Sequence, residues 1–386
     1  MSLLFYFKYT NFFISLLNDF HLAQIDPVHI LLPIGISFYT FENISYAVDV
    51  YKGEIKPEKN IANYVLFLSF FPKLVMGPIV RAKDFIPQLK KEYHVSAEDF
   101  SKGFYLILSG LIKKLIISDY ITLNLVDYIF DGPQLHNGFE CLMALYGYAI
   151  VIYCDFSGYS DVAIGISKWL GITIPSNFAS PYQSVSLTEF WRKWHISLST
   201  WLRDYLYIPL GGNKSGKIRT NINLFLTMLI GGFWHGASWN FIIWGALHGF
   251  GLIVNKYWTQ LFGKYQILPR GLVHLIYGGI TFHFVCFCWI FFKADSLETS
   301  LTFINQIANQ FTLEGIDAFL MNYKNPILMI AIGYLFHLVP ENWSVQFVKI
   351  QARFPLFYHV ALTLAFVVLY SFFKGTEAVM PIYLQF

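Results

Sequence analysis

The 386-residue chain is 55% apolar and 19% aromatic, only 13% of its residues are charged, and its formal net charge is +3. Soluble domains carry about a quarter charged residues. The composition therefore excludes a disordered chain, a nucleic-acid-binding module and a disulfide scaffold, and it indicates an integral membrane protein. Because the four cysteines lie in apolar stretches without the spacing of a zinc site, we expect buried thiols and no bound metal. They are Cys141, Cys154, Cys286 and Cys288.

Apolar runs separated by short polar segments recur along the whole chain and predict about ten helices. Several runs are shorter than the roughly 20 residues of a membrane span, and residues 32–41 and 175–182 also contain Pro or Gly, which indicates broken or re-entrant helices. With no internal repeat and no linker, we predict a single all-α polytopic membrane domain over residues 1–386. The clearest runs are 3–20, 28–41, 61–80, 104–118, 139–155, 222–234, 239–254, 272–292, 326–339 and 356–373.

Basic residues cluster in two short loops between these runs. Because short cytoplasmic loops of membrane proteins are enriched in Lys and Arg, we expect both loops to face the cytoplasm. The first contains Arg81, Lys83, Lys90 and Lys91, and the second contains Lys214, Lys217 and Arg219.

Residues 186–207 carry a helical pattern. Ser186 and Glu189 have the spacing of a capping box, which predicts a helix start. Apolar residues then recur at steps of three and four, which predicts one amphipathic helix through Tyr207. Four polar residues would lie along one border of its apolar stripe, namely Arg192, His195, Ser199 and Arg203.

Two interpretations of this helix stay open. It could lie on the membrane surface as an interfacial anchor with His195 merely at its edge, since such helices combine aromatic and basic faces. Alternatively, its border could line a polar groove in which Arg192, Lys193 and Arg203 bind the phosphates of a donor entering from the cytoplasm.

No Asp, Glu, Lys or Arg occurs between Arg219 and Lys256. As one helix this segment would be about 54 Å long, too long for a single crossing of a ~30 Å hydrocarbon core. It is therefore expected to break, and the break is predicted beside His235, where three glycines cluster. These are Gly231, Gly232 and Gly236.

His235 should then lie at a helix break inside the membrane, between Trp234 and Trp239. An ionisable residue there is a candidate functional group, and imidazole can accept a proton near neutral pH. The alternative is a neutral histidine that packs two helices together. His248 would lie about 220° further round a continuous helix, and we interpret it as a packing residue.

Two carboxylates, Asp155 and Asp161, flank a short polar patch within an otherwise apolar run. They either cap broken helices or line the same cavity as His235, where they would contact substrate.

Seven stretches together resemble the membrane-bound O-acyltransferase family and, within it, the bacterial alginate O-acetylation branch. They are LLPIGISFYTF at 31–41, MGPIVR at 76–81, DFSGYSD at 155–161, FWRKWHISLS at 190–199, RDYLYIPLGGN at 203–213, GFWHG at 232–236 and IYLQF at 382–386.

The resemblance implies a ring of about ten transmembrane or re-entrant helices with a thin centre, in the bacterial cytoplasmic (inner) membrane. It also implies a cytoplasmic opening for the donor and an outer opening for the acceptor. The essential histidine of the family maps to His235 and its second signature histidine to His195. Family members of this branch usually begin with further hydrophobic helices before a segment like Phe5–Tyr9. We therefore expect an incomplete ring here, or a reading frame that starts upstream.

The implied reaction moves an acetyl group from acetyl-CoA, a substrate and not a bound cofactor, to hydroxyls of an exported polysaccharide such as alginate or to a periplasmic relay protein. His235 would act as general base, His195 would position or polarise the donor, and Trp234 and Trp239 would exclude water. Alternatives within the family are a teichoic acid D-alanyl transferase and a peptidoglycan O-acetyltransferase. A polytopic transporter or flippase is the alternative outside it, although no inverted repeat is visible and intramembrane ionisable residues are few.

Overall fold

The computed structural model describes residues 2–262, 270–375 and 379–384, and every regular element in these ranges is helical. The predicted all-α class is confirmed for these residues. Gln385 and Phe386, which complete the C-terminal stretch that resembles the family, lie outside them. The α-helices are α1 Ser2–Asp19, α2 Ile36–Tyr51, α3 Ile61–Ser69, α4 Ala82–Phe85, α5 Ala97–Leu111, α6 Asp119–Ile121, α7 Asp127–Phe130, α8 Gly138–Trp169, α9 Leu187–Lys193, α10 Ile196–Leu202, α11 Gly216–His235, α12 Trp239–Phe262, α13 Arg270–Lys293, α14 Leu297–Asn309, α15 Ile316–Asn322, α16 Lys324–Leu338, α17 Glu341–Gln351 and α18 Leu356–Phe373.

Turns of other pitch divide the apolar runs into more helices than the sequence predicts. Wider π-helical turns follow α5, α6 and α10, at Ile112–Ser118, Thr122–Val126 and Arg203–Tyr207. Short 3₁₀ turns occur at Phe71–Lys73, Ile86–Lys90, Pro133–Leu135, Pro181–Gln183 and Ile382–Leu384. Among the described helices, α8, α13 and α18 are long and apolar enough to cross a bilayer. The ring of about ten helices stays a prediction.

The longest described helix, α8, organises the core. It begins at a capping box formed by Asn137 and Glu140 and is about 48 Å long. It packs against α5 through glycines, because a Cβ atom added to Gly110 would lie 2.4 Å from the carbonyl oxygen of Gly158. Only glycine permits this close approach of two helix backbones.

The starting turn of α5 is tied to the end of α8. Ser96 caps α5 by accepting a hydrogen bond from the Asp99 main-chain N–H. The Ser96 hydroxyl and the Lys168 ammonium both donate to the Asp99 carboxylate and hold the pKa of Asp99 below its usual range.

The predicted break after His235 is confirmed. α11 ends at His235 and α12 begins at Trp239, and the two helices pack against each other in antiparallel directions. At their closest approach, a Cβ atom on Gly232 would lie 2.4 Å from the Phe241 carbonyl oxygen. A Cβ atom on the neighbouring Gly231 would meet only a methyl group of Leu202, at 3.1 Å. The helix pair therefore requires glycine at position 232 and not at position 231.

The first basic loop lies against the segment that leads into the second. The Arg81 guanidinium is 3.6 Å from Asp204 and stacks on the Tyr205 ring at 4.4 Å. Lys52, at the end of α2, lies 5.9 Å from the same ring. The ends of α2 and α10 therefore meet at one face of the molecule, called the basic end below. The four cysteines are buried, as predicted.

Candidate active site

The predicted single helix over residues 186–207 is broken at His195. Its start is confirmed, because the Ser186 hydroxyl accepts the Glu189 main-chain N–H at 3.2 Å. The chain turns at His195, whose φ is 42°, because Asn177 from a distant loop accepts the Ile196 N–H at 2.9 Å through its main-chain oxygen. The expected polar border along one helix therefore does not form.

Asn177 also orients the His195 side chain. Its amide oxygen accepts hydrogen bonds from His195 Nδ1 at 3.2 Å and from the Ser197 hydroxyl at 2.7 Å. Since an amide oxygen only accepts, Nδ1 carries the proton and Nε2 carries the lone pair. His195 is fully buried, and its Nε2 has no hydrogen-bond partner among the described residues.

His235 is the last residue of α11, and its ring is enclosed by aromatic side chains. The ring centroid is 4.9 Å from Trp234, 5.1 Å from Trp244 and 5.3 Å from Phe292. Trp239, which was expected beside His235, is 49% exposed and packs against Phe12 instead. Trp239 begins α12 and faces outward. Trp244, five residues later in the same helix, contacts the His235 ring instead.

The C-terminal segment passes between the two histidines. The Tyr383 ring centroid is 5.5 Å from that of His235 and 6.1 Å from that of His195. Residues far apart in the chain therefore converge on one aromatic ring.

Asp155 holds this segment in place. Its carboxylate accepts the Ile382 N–H at 3.0 Å and pairs with Lys114 at 2.5 Å. The capping alternative for Asp155 and Asp161 is wrong, because α8 continues unbroken through both. Asp161 pairs with Lys113 at 2.6 Å.

A cavity of about 400 Å³ reaches His235 and Tyr383. It is lined mainly by residues 31–38 and by Lys8, with the exposed side chains of Leu31 and Ile34 among its walls. The start of α2 lines it, and the end of α2 lies at the basic end about 24 Å away. The cavity therefore lies at the end of α2 that is away from the basic end.

The residues predicted to bind donor phosphates lie outside the described lining of this cavity. Arg192 is exposed, Lys193 pairs with Glu189 at 2.7 Å, and Arg203 donates to Asp204 at 2.8 Å. The Ser199 hydroxyl donates to the main-chain oxygen of Trp194, just before the break at His195, at 3.2 Å.

His248 is buried and lies in an aromatic cluster. The Trp191 indole N–H donates to its Nδ1 at 3.3 Å, and the Trp244 ring is 4.7 Å away. This environment fits the packing interpretation.

A stack of three rings joins α11, which ends at His235, to α10, which begins directly after His195. Phe41 of α2 lies 3.9 Å from Trp201 of α10, with the ring planes 3° apart, and 4.8 Å from Trp234 of α11, with the planes 17° apart.

Three residues of this site were not assigned a role from the sequence. Tyr383 lies in one of the stretches that resemble the family, and Lys8 lies in the Phe5–Tyr9 segment compared with the family, so these positions could have identified both residues. Asn177 is a single amide in a loop, and no spacing rule identifies it.

Comparison with known proteins places these residues in context. Residues 55–294 match the family model described as MBOAT, membrane-bound O-acyltransferase family. A Pseudomonas aeruginosa protein named "Probable alginate O-acetylase AlgI" is 45% identical over 76% of this chain and 56% of its own length. A Helicobacter pylori peptidoglycan O-acetyltransferase is 38% identical over 78% of the chain and 61% of its length. A Bacillus subtilis teichoic acid D-alanyltransferase is 32% identical, over 69% and 70% respectively. The chain thus spans less than two thirds of the first two relatives.

Proposed function

Because the chain belongs to the membrane-bound O-acyltransferase family, we propose that it transfers an acetyl group from cytoplasmic acetyl-CoA across the bacterial inner membrane. The acceptor is a hydroxyl of an exported polysaccharide such as alginate, or of a periplasmic relay protein. A relative named as an alginate O-acetylase is 45% identical, whereas two relatives named as D-alanyltransferases are 32% and 31% identical. This difference favours acetyl over D-alanyl as the group transferred.

The observation that carries the proposal is the convergence of His235 and His195 on the Tyr383 ring, which lines a cavity together with His235. The basic end faces the cytoplasm under the positive-inside tendency. The cavity then opens toward the outer side, so an acceptor could reach His235 without crossing the membrane. We propose that the surrounding helices form the ring of the family around this thin centre.

In the proposed reaction, the acceptor hydroxyl enters the cavity and the His235 imidazole takes its proton. The hydroxyl oxygen attacks the thioester carbonyl carbon, and the resulting tetrahedral intermediate loses the thiolate. The thiolate then takes the proton from the imidazolium, which leaves an ester and free coenzyme A thiol. General-base catalysis of this kind contributes about 10²–10⁴ in rate.

His195 positions the donor in this mechanism. Because Asn177 keeps the proton on Nδ1, the free Nε2 lone pair can accept an N–H from the amide-containing arm of acetyl-CoA. It cannot donate to the thioester carbonyl in this tautomer, so we propose positioning and not polarisation. Trp234, Trp244 and Phe292 surround His235 and limit access of bulk water, which would otherwise compete as acceptor.

At the donor entrance, we propose that the phosphates of acetyl-CoA contact the exposed guanidinium groups of Arg192 and Arg203. Lys193 would contribute once a phosphate replaces Glu189 as its partner.

The test follows radiolabelled acetyl-CoA into alkali-labile ester in inverted membrane vesicles, whose lumen, which corresponds to the outer side, is loaded with alginate oligosaccharide. The variants are wild type, His235→Ala and the matched control His283→Ala, whose ring is exposed and bonded to Tyr146 on another face. We expect label with wild type and His283→Ala and none with His235→Ala. Equal labelling in all three would contradict the role of His235, and labelling only from a D-alanyl donor would contradict the acetyl assignment.

A further inference from the structure

Lys8 is a charged residue in the apolar stretch of α1, within Phe5–Tyr9. Its ammonium Nζ donates hydrogen bonds to the main-chain oxygens of Trp234 at 2.8 Å and His235 at 2.7 Å. Removing an ammonium from water costs several kcal/mol. An apolar side chain could pack in this position without that cost. Packing alone therefore does not explain why the side chain is charged.

The ammonium is held by the end of a helix. The last carbonyl oxygens of α11 carry a partial negative charge, and no carboxylate oxygen among the described residues lies within 4.0 Å of Lys8 Nζ. The positive charge is therefore fixed in place without being cancelled by a full negative charge.

One N–H of Lys8 is left for a substrate. An ammonium has three N–H donors, and the two carbonyl oxygens use two of them. Lys8 also lines the same cavity as His235 and Tyr383. The third N–H is therefore available to a ligand that occupies the cavity beside the proposed general base.

We propose that Lys8 stabilises the oxyanion of the transfer reaction, an inference that rests on the proposed function. When the acceptor oxygen bonds to the acyl carbon, the electron pair of the C=O π bond moves onto the carbonyl oxygen. The free N–H of Lys8 donates to that oxygen. When the intermediate collapses, the pair returns, the C–S bond breaks, and Lys8 is chemically unchanged.

The expected effect is confined to turnover. Removal of one oxyanion donor costs about 10²–10³ in kcat. Because the charge develops after donor binding, the KM for acetyl-CoA should stay within about threefold.

The experiment compares Lys8→Gln and Lys8→Met with the matched control Tyr9→Phe. Gln keeps an N–H that can bond a carbonyl at the end of α11 but removes the charge, and Met removes both. Tyr9 follows Lys8 in the same helix, and its hydroxyl donates to the Phe233 oxygen at 3.1 Å. The control therefore removes a neighbouring hydrogen bond to the same helix end. Each purified variant is checked by gel filtration and thermal unfolding before kcat and KM are measured.

We expect Lys8→Gln to fold like wild type and to lose about 100-fold or more in kcat, while Tyr9→Phe stays within about threefold. Wild-type turnover in Lys8→Gln, or equal losses in Lys8→Gln and Tyr9→Phe, would reduce Lys8 to a helix cap and overturn the proposal. If wild type is active and His235→Ala is inactive, the proposed function stands, and either of these results contradicts only the role of Lys8. Absence of acetyl transfer in wild type would overturn the proposed function and this inference together.

Discussion

Replacing Asp155 tests whether a buried carboxylate holds the C-terminal segment in the site. The side chain is 1% exposed and accepts hydrogen bonds from the Ile382 N–H and from Lys114. Asp155→Leu removes both interactions. Asp155→Asn keeps an oxygen that can accept the Ile382 N–H but removes the negative charge.

The size of the effect follows from these contacts. A hydrogen bond to a charged group is worth about 1.5–3 kcal/mol, which corresponds to about a 10- to 150-fold increase in release of the segment in Asp155→Leu. Lys114 keeps Asp119 as a partner at 2.7 Å. The loss of global stability should therefore stay below the ~3–5 kcal/mol of an orphaned buried ion. A neutral hydrogen bond is worth about 0.5–1.5 kcal/mol, so Asp155→Asn should fall between wild type and Asp155→Leu.

The measurement is hydrogen–deuterium exchange of residues 379–384 in nanodiscs, with acetyl transfer measured on the same samples. We expect exchange at Ile382 to accelerate in the order wild type, Asp155→Asn, Asp155→Leu. Transfer should decline in the same order, because Tyr383 leaves the space between the histidines. Unchanged protection of Ile382 in Asp155→Leu would refute the reasoning, as would a loss of protection spread evenly over the whole chain.

Three further predictions concern separate parts of the molecule. Gly232→Ala should lower the free energy of unfolding by about 1–3 kcal/mol, since its Cβ atom would meet backbone, whereas Gly231→Ala should be nearly neutral. Similar melting temperatures for the two variants would contradict the described helix contact. Asn177→Ala should reduce acetyl transfer at least about tenfold, because it removes the acceptor that keeps the proton on Nδ1 of His195; loss of a histidine's orienting partner has such an effect in a catalytic triad. Wild-type transfer in a folded variant would exclude this role. The folded-state pKa of Asp99 lies below its unfolded value, so its contribution to stability is present at neutral pH and is lost as the pH falls below about 4. The melting temperature of Asp99→Asn should accordingly depend less on pH between 6 and 3 than that of wild type, and parallel curves would contradict the assignment.

Local patterns predicted the parts of the fold that depend on nearby residues. Charge depletion and clustered glycines were sufficient to place the helix break after His235, because both signals act within a few residues. The N-cap at Ser186 was predictable for the same reason.

The parts that failed depend on contacts between distant segments. Periodicity alone extends one helix through His195, since the interruption comes from Asn177, which no local pattern links to it. The place of Tyr383 between the histidines depends on Asp155, more than two hundred residues earlier in the chain. Periodicity could also not decide whether Trp239 or Trp244 faces His235, because that depends on how α12 is rotated against its neighbours.

The ring stack through Phe41 restricts the motions by which the site can admit a substrate. Stacked rings resist compression, and they lose dispersion contact quickly when they separate. α10 and α11 therefore keep a nearly constant spacing along the stacking direction. The Trp201 indole N–H donates to the Phe41 main-chain oxygen at 2.9 Å, which opposes sliding between those two rings. Sliding between Phe41 and Trp234 costs much less, because offset arrangements of aromatic rings are themselves favourable. Opening between α10 and α11 should accordingly occur by shear, with α11 moving sideways along the face of the Phe41 ring.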